Sequence, residues 1–418
     1  MEIVQENKVV KFLENIPVPT QTSAVRKEAL QALQGMDFPT SRVEDWKYTR
    51  TTRITNKSYR TFETSIDVSN YLLPSKEVHQ LVFINGFYNK EASVLLADDA
   101  LQIQPIDEMD EALYAATVED LEESAFSLIN KGYATGGFAI TVLKNKKAKY
   151  PIHLIHVVTG DFVMANTRHF FNVEEGASME VLTTYYSNQA TDSFQNIVLD
   201  GTVATNGKLT VFKVQAEEKD MFHISSENFI QAPSSNFYIH TVTLGGLLVR
   251  NGLNIIVEGE NCYTELNGVY LGKDKQHLDN HTFVDHLFSH CTSSETYKGV
   301  MDDKSTGVFN GKVIVREDAQ KIEAYQSNGN ILLSDTATVN SKPELEIYAD
   351  DVRCSHGSTT GQLDEDAVFY LQARGISVNK ARQLLVAAFI GEVIEKIENK
   401  DVRSLVDALF LEQFGWEF

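Results

Sequence analysis

Cys354 and His356 are the residues whose types and spacing most invite chemistry in this chain. They stand two apart in RCSHGSTTGQLDEDAVFYLQARGI (353–376), where a long strand-rich region gives way to a small-residue turn and an amphipathic helix ending at Arg374-Gly375. Side chains alternate between the faces of a strand, so Cys354 and His356 project together while Ser355 points away. A thiol beside an imidazole can be a metal-ligand pair, a nucleophile with its base, or packing. Neighbours at i and i+2 rarely reach hydrogen-bond geometry in a strand, and a catalytic thiol normally takes its base from elsewhere in the fold.

Other groups carry weaker signals. HLDNHTFVDHLFSHC holds His277, His281, His286, His290 and Cys291. His286-x-x-x-His290 has a zinc-like spacing, but the metalloprotease motif needs a helix and a glutamate that is missing here. On a strand the two would share a face, which permits ligation without specifying it. Glu344 and Glu346 also share a strand face and could imitate a glycosidase pair, although a solvated face is the plainer reading. No G-x-S-x-G, P-loop or Rossmann glycine pattern occurs. Read from the residues alone, no free-standing enzyme emerges.

Composition narrows the classes. The chain has 418 residues, enough for two or three domains or one elongated repeat architecture. Its net charge of −21 opposes binding to nucleic acid or to an anionic membrane. Three cysteines, none in C-x-x-C, suit a reducing compartment. No secretory signal and no apolar run of the roughly 18–20 residues that a membrane span needs are evident, so a cytoplasmic protein is expected.

The elements that must position these residues fall into three segments. Residues 1–135 read as a mixed, mainly helical domain. Helices are expected over Lys8–Ile16 and Ser23–Leu33, and VFINGFYN (82–89) reads as a strand running into a turn at Asn85-Gly86. Residues 107–131 read as helical again, with Leu121, Phe126, Leu128 and Ile129 buried. From 136 to 353, strands alternate with kinks at Gly176, Gly207, Ser234 and Glu260, spaced 31, 27 and 26 residues apart. Such a period points to stacked repeats, and without helix-period segments it leaves a parallel β-helix, a sandwich or a jelly roll.

Residues 354–418 read as three capped helices. Asp364, Glu365 and Asp366 open the first, and Gly375 sits just past its end. Ser377 caps the second, with Ala381, Leu384, Leu385, Ala388, Phe389, Val393 and Ile397 as its apolar face. Asp401 is expected to cap the third, with Val402, Leu405, Val406, Leu409 and Phe410. These stripes must cover the β region, one another or a partner.

Five ordered motifs make the reading specific: EDWKYT (44–49), FNGKVIV (309–315), EAYQSNGNILLS (323–334), SKPELEIYADDVRCSHGSTTGQLDEDAVFYLQARGI (341–376) and ARQLLVAAFIGEVIEKI (381–397). Together they resemble the SufB/SufD family of a cytosolic iron–sulfur cluster assembly system. The chain looks more like the SufD branch. LLSDTATVNSK has Asp335-Thr336-Ala337 where SufB-like chains carry a thiol, and Cys-Ser-His-Gly stands where they tend toward Glu-His-Glu. Three dispersed cysteines also suit poorly a site that usually wants four thiolates.

The resemblance implies a mainly β fold: a right-handed parallel β-helix core with N-terminal α-rich and C-terminal α-helical domains. It implies a non-catalytic scaffold of an ATPase-driven complex, pairing with a SufB-like paralogue through the β-helix and binding a SufC-like ATPase through the C-terminal helices. A transient Fe–S cluster would be shared with SufB, with His356 as the first candidate ligand and Cys354 as the second. Phe369, Tyr370, Arg374, Leu385 and Phe389 mark the candidate SufC-docking region. A homodimer is one option for the isolated chain, which the sequence does not separate from a heterodimer, and flavin is compatible without being derivable. The competing reading is a polysaccharide lyase-like β-helix enzyme using Glu344 and Glu346. The missing signal sequence and the helical tail weigh against it.

Overall fold

The computed structural model describes residues 7–18, 23–108 and 124–415. Its centre is a pair of facing β-sheets built by one chain that crosses from sheet to sheet at every corner. Sheet I runs, from its C-terminal edge, through Arg353–Gln362, Glu323–Leu332, Thr292–Met301, Tyr263–Gly272, Asn236–Thr243, Lys208–Gln215, Ser178–Thr191, Ile152–Asp161, His79–Ile84 and Phe87–Val94. Sheet II runs through Thr338–Ile347, Thr306–Val315, His277–His286, Leu248–Val257, Phe222–Gln231, Phe194–Val203, Met164–Val173, Phe138–Val142 and Leu101–Pro105. All pairs are parallel except the two N-terminal ones. This is a parallel β-solenoid with two strands per coil.

The coil length explains the kink spacing. Successive sheet I strands begin at Tyr263, Thr292, Glu323 and Arg353, steps of 29, 31 and 30 residues. One corner of each coil carries a residue with positive φ: Gly176, Asn206, Ser234, Asn261, His290 and Lys321. A left-handed residue reverses the chain in few residues, and Gly and Asn tolerate that conformation best. At two corners the residue falls one position from the expected kink, Asn206 rather than Gly207 and Asn261 rather than Glu260.

The two sheets bury a shared apolar interior that includes Leu154, Val181, Val211, Ile239 and Leu266 from sheet I and Phe171, Phe229 and Ile255 from sheet II. Their outer faces are covered too. Val9, Phe12, Phe38, Trp46 and Phe126 of the N-terminal segment pack on Met164, Phe194, Phe222 and Leu248 of sheet II. Val386, Ile390, Val393, Val402, Val406 and Phe410 of the C-terminal helices pack on Val157, Leu182, Phe212, Val269 and Val300 of sheet I. Four layers result, helix on sheet on sheet on helix. No helix among the described residues is long and apolar enough to cross a membrane.

Several local expectations are revised. Strand structure reaches outside 136–353 at both ends, because 79–105 supplies the first strands of both sheets and 353–362 supplies the last strand of sheet I. In the helix Val378–Ile394 the buried residues are Ala381, Val386, Ile390, Val393 and Ile394, whereas Leu384 and Ala388 are exposed. That segment is apolar almost all round, so its period could not choose a face. The last helix, Lys400–Phe414, is capped by Asn399, whose Oδ1 accepts from the Asp401 and Val402 amides. Asp401 lies inside the first turn. Leu121 falls outside the described residues.

Candidate functional site

Cys354 and His356 lie on the last strand of sheet I. Arg353–Gln362 pairs on one side with Glu323–Leu332, setting Cys354 opposite Ala324 and His356 opposite Gln326. Among the described residues no strand pairs with its other side, and Thr338–Ile347 is likewise last in sheet II. The solenoid therefore ends in two adjacent open edges, each ten residues long and each with a free row of backbone hydrogen-bonding groups. Natural sheets usually shorten, charge or cover such edges. Here residues 355–362 are exposed and mostly small or uncharged.

Cys354 is half-buried and packs against the interior cluster, so strand alternation aims His356 toward the same inner side. Burial pushes the Cys354 thiol above its usual pKa, opposed by a hydrogen bond with the Ala324 backbone. An activated nucleophile is shifted the other way. The pair thus places an unactivated thiol and an imidazole at an open rim.

The histidine-rich segment separates into different surroundings. His277 Nε2 lies 2.7 Å from Thr49 Oγ1, and His281 Nε2 lies 3.0 Å from Asp279 Oδ1. Asp279 also accepts from Thr49 Oγ1 and, at 2.8 Å, from Arg250 Nη1. The Arg250 guanidinium sits 4.0 Å from the Trp46 ring, and Glu44 pairs with Lys342 at 3.0 Å. The EDWKYT motif is thereby clamped onto the outer face of sheet II. His286 points inward, 2.9 Å from Ser293 Oγ, and His290 occupies a left-handed corner. Among the described residues, no group of three or more His, Cys, Asp or Glu side chains is placed to hold a metal ion.

Glu344 and Glu346 pair with Lys342 and Lys312, at 3.0 and 2.7 Å. Both are committed to ion pairs at a partly exposed surface. In the tail, the helix Glu365–Ala373 buries only Val368 and leaves Phe369 71% and Tyr370 55% exposed. Arg374 lies over the Tyr370 ring at 4.5 Å, and Leu385 is half-buried. Phe389 has a different task. Its ring packs against Gly329, Lys298 lies 4.7 Å above it, and Lys298 Nζ donates to its carbonyl at 2.7 Å. Phe389 anchors the tail to the solenoid, while Phe369 and Tyr370 present apolar surface.

Sequence reading missed the polar residues inside the solenoid. Lys213 is wholly buried, with its ammonium held by Glu227, Ser225 Oγ at 2.6 Å and Asn251 Oδ1 at 2.8 Å. Nearer the open end, Glu295, Gln326, Asn328 and Asn330 form the polar floor beneath the last strand. Runs such as EAYQSNGN carry the signal, since their polar residues fall at every second position on the inner side.

Residues 156–389 match the family model described as SUF system FeS cluster assembly, SufBD core domain. A SufBD family protein of Synechocystis sp. is 31% identical, the alignment covering 89% of this chain and 86% of that protein. The iron–sulfur cluster assembly protein SufD of Escherichia coli is 28% identical over 93% of this chain and 92% of its own length. A chloroplastic Arabidopsis thaliana protein, ABCI7, is 30% identical over 91% of this chain and 83% of its own. The five motifs, the solenoid and these near end-to-end likenesses agree: the chain belongs to the SufBD family of iron–sulfur cluster assembly proteins and is of the SufD type.

Proposed function

We propose that this chain is a non-catalytic scaffold subunit that joins a SufB-like paralogue edge to edge and helps hold a nascent iron–sulfur cluster, the system's substrate, at that junction. The observation that carries the reading is the position of His356 and Cys354 on an unpaired edge strand. Two donors fall short of the four that such clusters usually take, so the remainder must come from the chain that covers the edge. His356 would give a neutral imidazole lone pair. Cys354 would surrender its proton on meeting iron, which its raised pKa makes dependent on the metal. In isolation a second copy of the chain would cover the same edge.

The tail supplies the second surface. Phe369 and Tyr370, with Arg374 over the tyrosine ring, form an exposed apolar and cationic patch on a helix that the solenoid scarcely covers. This is where a SufC-like ATPase would dock and transmit its motion to the rim. Phe389 and Leu385 would support that helix from below.

The test is anaerobic co-expression with the SufB-like and SufC-like partners, followed by iron and sulfide analysis of the purified complex. His356→Ala should leave the complex assembled and deplete its iron and sulfide. Undiminished loading would refute the ligand role. Phe369→Ala with Tyr370→Ala should abolish capture of the ATPase while leaving the SufB-like partner bound, and unaltered capture would refute the docking assignment.

A further inference from the structure

A column of inward-facing side chains in register runs along sheet I from Ile152 through Val181, Val211, Ile239 and Leu266 to Glu295, Gln326 and His356. Five apolar rungs are followed by three polar ones, and the change falls directly beneath the candidate ligand. Glu295 and Gln326 are both buried. Glu295 accepts from Thr282 Oγ1 on one oxygen and, at 2.8 Å, from Gln326 Nε2 on the other. Gln326 Oε1 is buried and has no hydrogen-bond partner among the described residues.

That oxygen calls for an explanation, because an unpaired buried acceptor costs about 1–3 kcal/mol. Its neighbours in the same layer are satisfied. Asn328 Oδ1 accepts from Asn330 Nδ2 and from Ser341 Oγ, both at 2.7 Å, and Asn330 Oδ1 accepts from Tyr270 OH at 2.6 Å. The amide orientation follows from Glu295 whenever that carboxyl is ionised: a carboxylate only accepts, so the NH2 group then faces it and Oε1 faces away. Gly311 of the FNGKVIV motif leaves space for the pair and for the Phe309 ring, since a Cβ there would lie 2.7 Å from Phe309 Cζ, 2.9 Å from Gln326 Nε2 and 3.0 Å from Glu295 Oε2.

We infer that Gln326, held in orientation by Glu295, is a positioning residue for His356: its free carbonyl oxygen accepts one imidazole N–H and so directs the lone pair of the other ring nitrogen to the open edge. The next rung of a parallel ladder lies about 4.8 Å away, within reach of an imidazole side chain. Metal-binding histidines commonly have their tautomer and ring orientation set by such an acceptor. The functional meaning of this arrangement rests on the reading of His356 as a ligand, whereas the arrangement itself does not.

The experiment separates the two. In the full-length chain labelled with 15N-histidine, long-range proton–nitrogen correlation reads the tautomer of His356, assigned by its loss in His356→Asn. The expected result is one tautomer in the parent, a mixture in Gln326→Met, and one tautomer again in the exchanged pair Glu295→Gln with Gln326→Glu, which keeps an acceptor beneath the ring. A mixture already present in the parent, or no change in Gln326→Met, overturns the inference. The same variants are then loaded anaerobically as complexes with the SufB-like partner. Gln326→Met should weaken iron retention about 10- to 100-fold. If the tautomer responds but neither Gln326→Met nor His356→Ala alters iron, the positioning role stands and the ligand reading falls.

Discussion

Replacing Glu295 by glutamine should stabilise the protein, increasingly so as the pH rises. Glu295 lies wholly inside the solenoid, and burial lifts its carboxyl from 4.5 to about 7 against the opposing pull of its hydrogen bonds from Thr282 and Gln326. Because the folded value is the higher one, the folded state holds its proton more tightly than the unfolded chain does. Below about 4.5 both states are neutral and nothing is lost. Above that, stability falls by ~1.36 kcal/mol per pH unit until about pH 7, where the loss is complete. The rise of 7 − 4.5 = 2.5 corresponds to ~3.4 kcal/mol in total, of which ~1.4 kcal/mol is already spent at pH 5.5. Glutamine keeps the shape, can still accept from Gln326 and cannot ionise. Between pH 5.5 and 8.5 the advantage of Glu295→Gln over the parent should therefore grow by ~2 kcal/mol. Urea unfolding of both proteins at pH 5.5, 7 and 8.5 measures the difference, and titrations common to both cancel. Parallel profiles would refute the reasoning, because they would mean that Glu295 is hydrated or compensated in the folded state.

Other perturbations probe different parts of the molecule. Lys213→Met leaves the buried Glu227 without its cation and should cost about 3–5 kcal/mol, seen as a lowered thermal midpoint. Adding Glu227→Leu should restore most of it, and a double variant no better than the single one would show that the pair is not the cause. Gly311→Ala forces a methyl group against the Phe309 ring, Gln326 and Glu295 and should cost about 1–3 kcal/mol in urea, with a neutral result contradicting the described packing. In the native monomer a thiol reagent should modify the half-buried Cys354 ahead of Cys262 and Cys291, which are 2% and 1% exposed. Simultaneous modification of all three would contradict that order.

Much of the scaffold was legible because local physics repeats along the chain. The coil period shows as kinks, since every coil must reverse at a corner and Gly176 and Ser234 stand at two of them. Gly375 ends its helix with φ +88° as its position suggested, and Asp364 and Ser377 cap the helices that follow them. The shared orientation of Cys354 and His356 follows from strand alternation alone. The solenoid interior was not legible, because its strands are buried on both faces. Leu154 faces the lumen and Ile155 faces the tail helices, yet both are equally apolar, so alternation cannot tell inside from outside.

By itself, then, the sequence determined the repeat, the helical ends and a thiol–imidazole pair on one strand face, all set by neighbours close along the chain. Tertiary structure alone decided that 79–105 opens both sheets, which side of Val378–Ile394 is buried, and that His356 stands on the last rung above Gln326 and Glu295. Those facts depend on register between coils about 30 residues apart. Such register is settled by packing both faces of each strand at once, which no local pattern records.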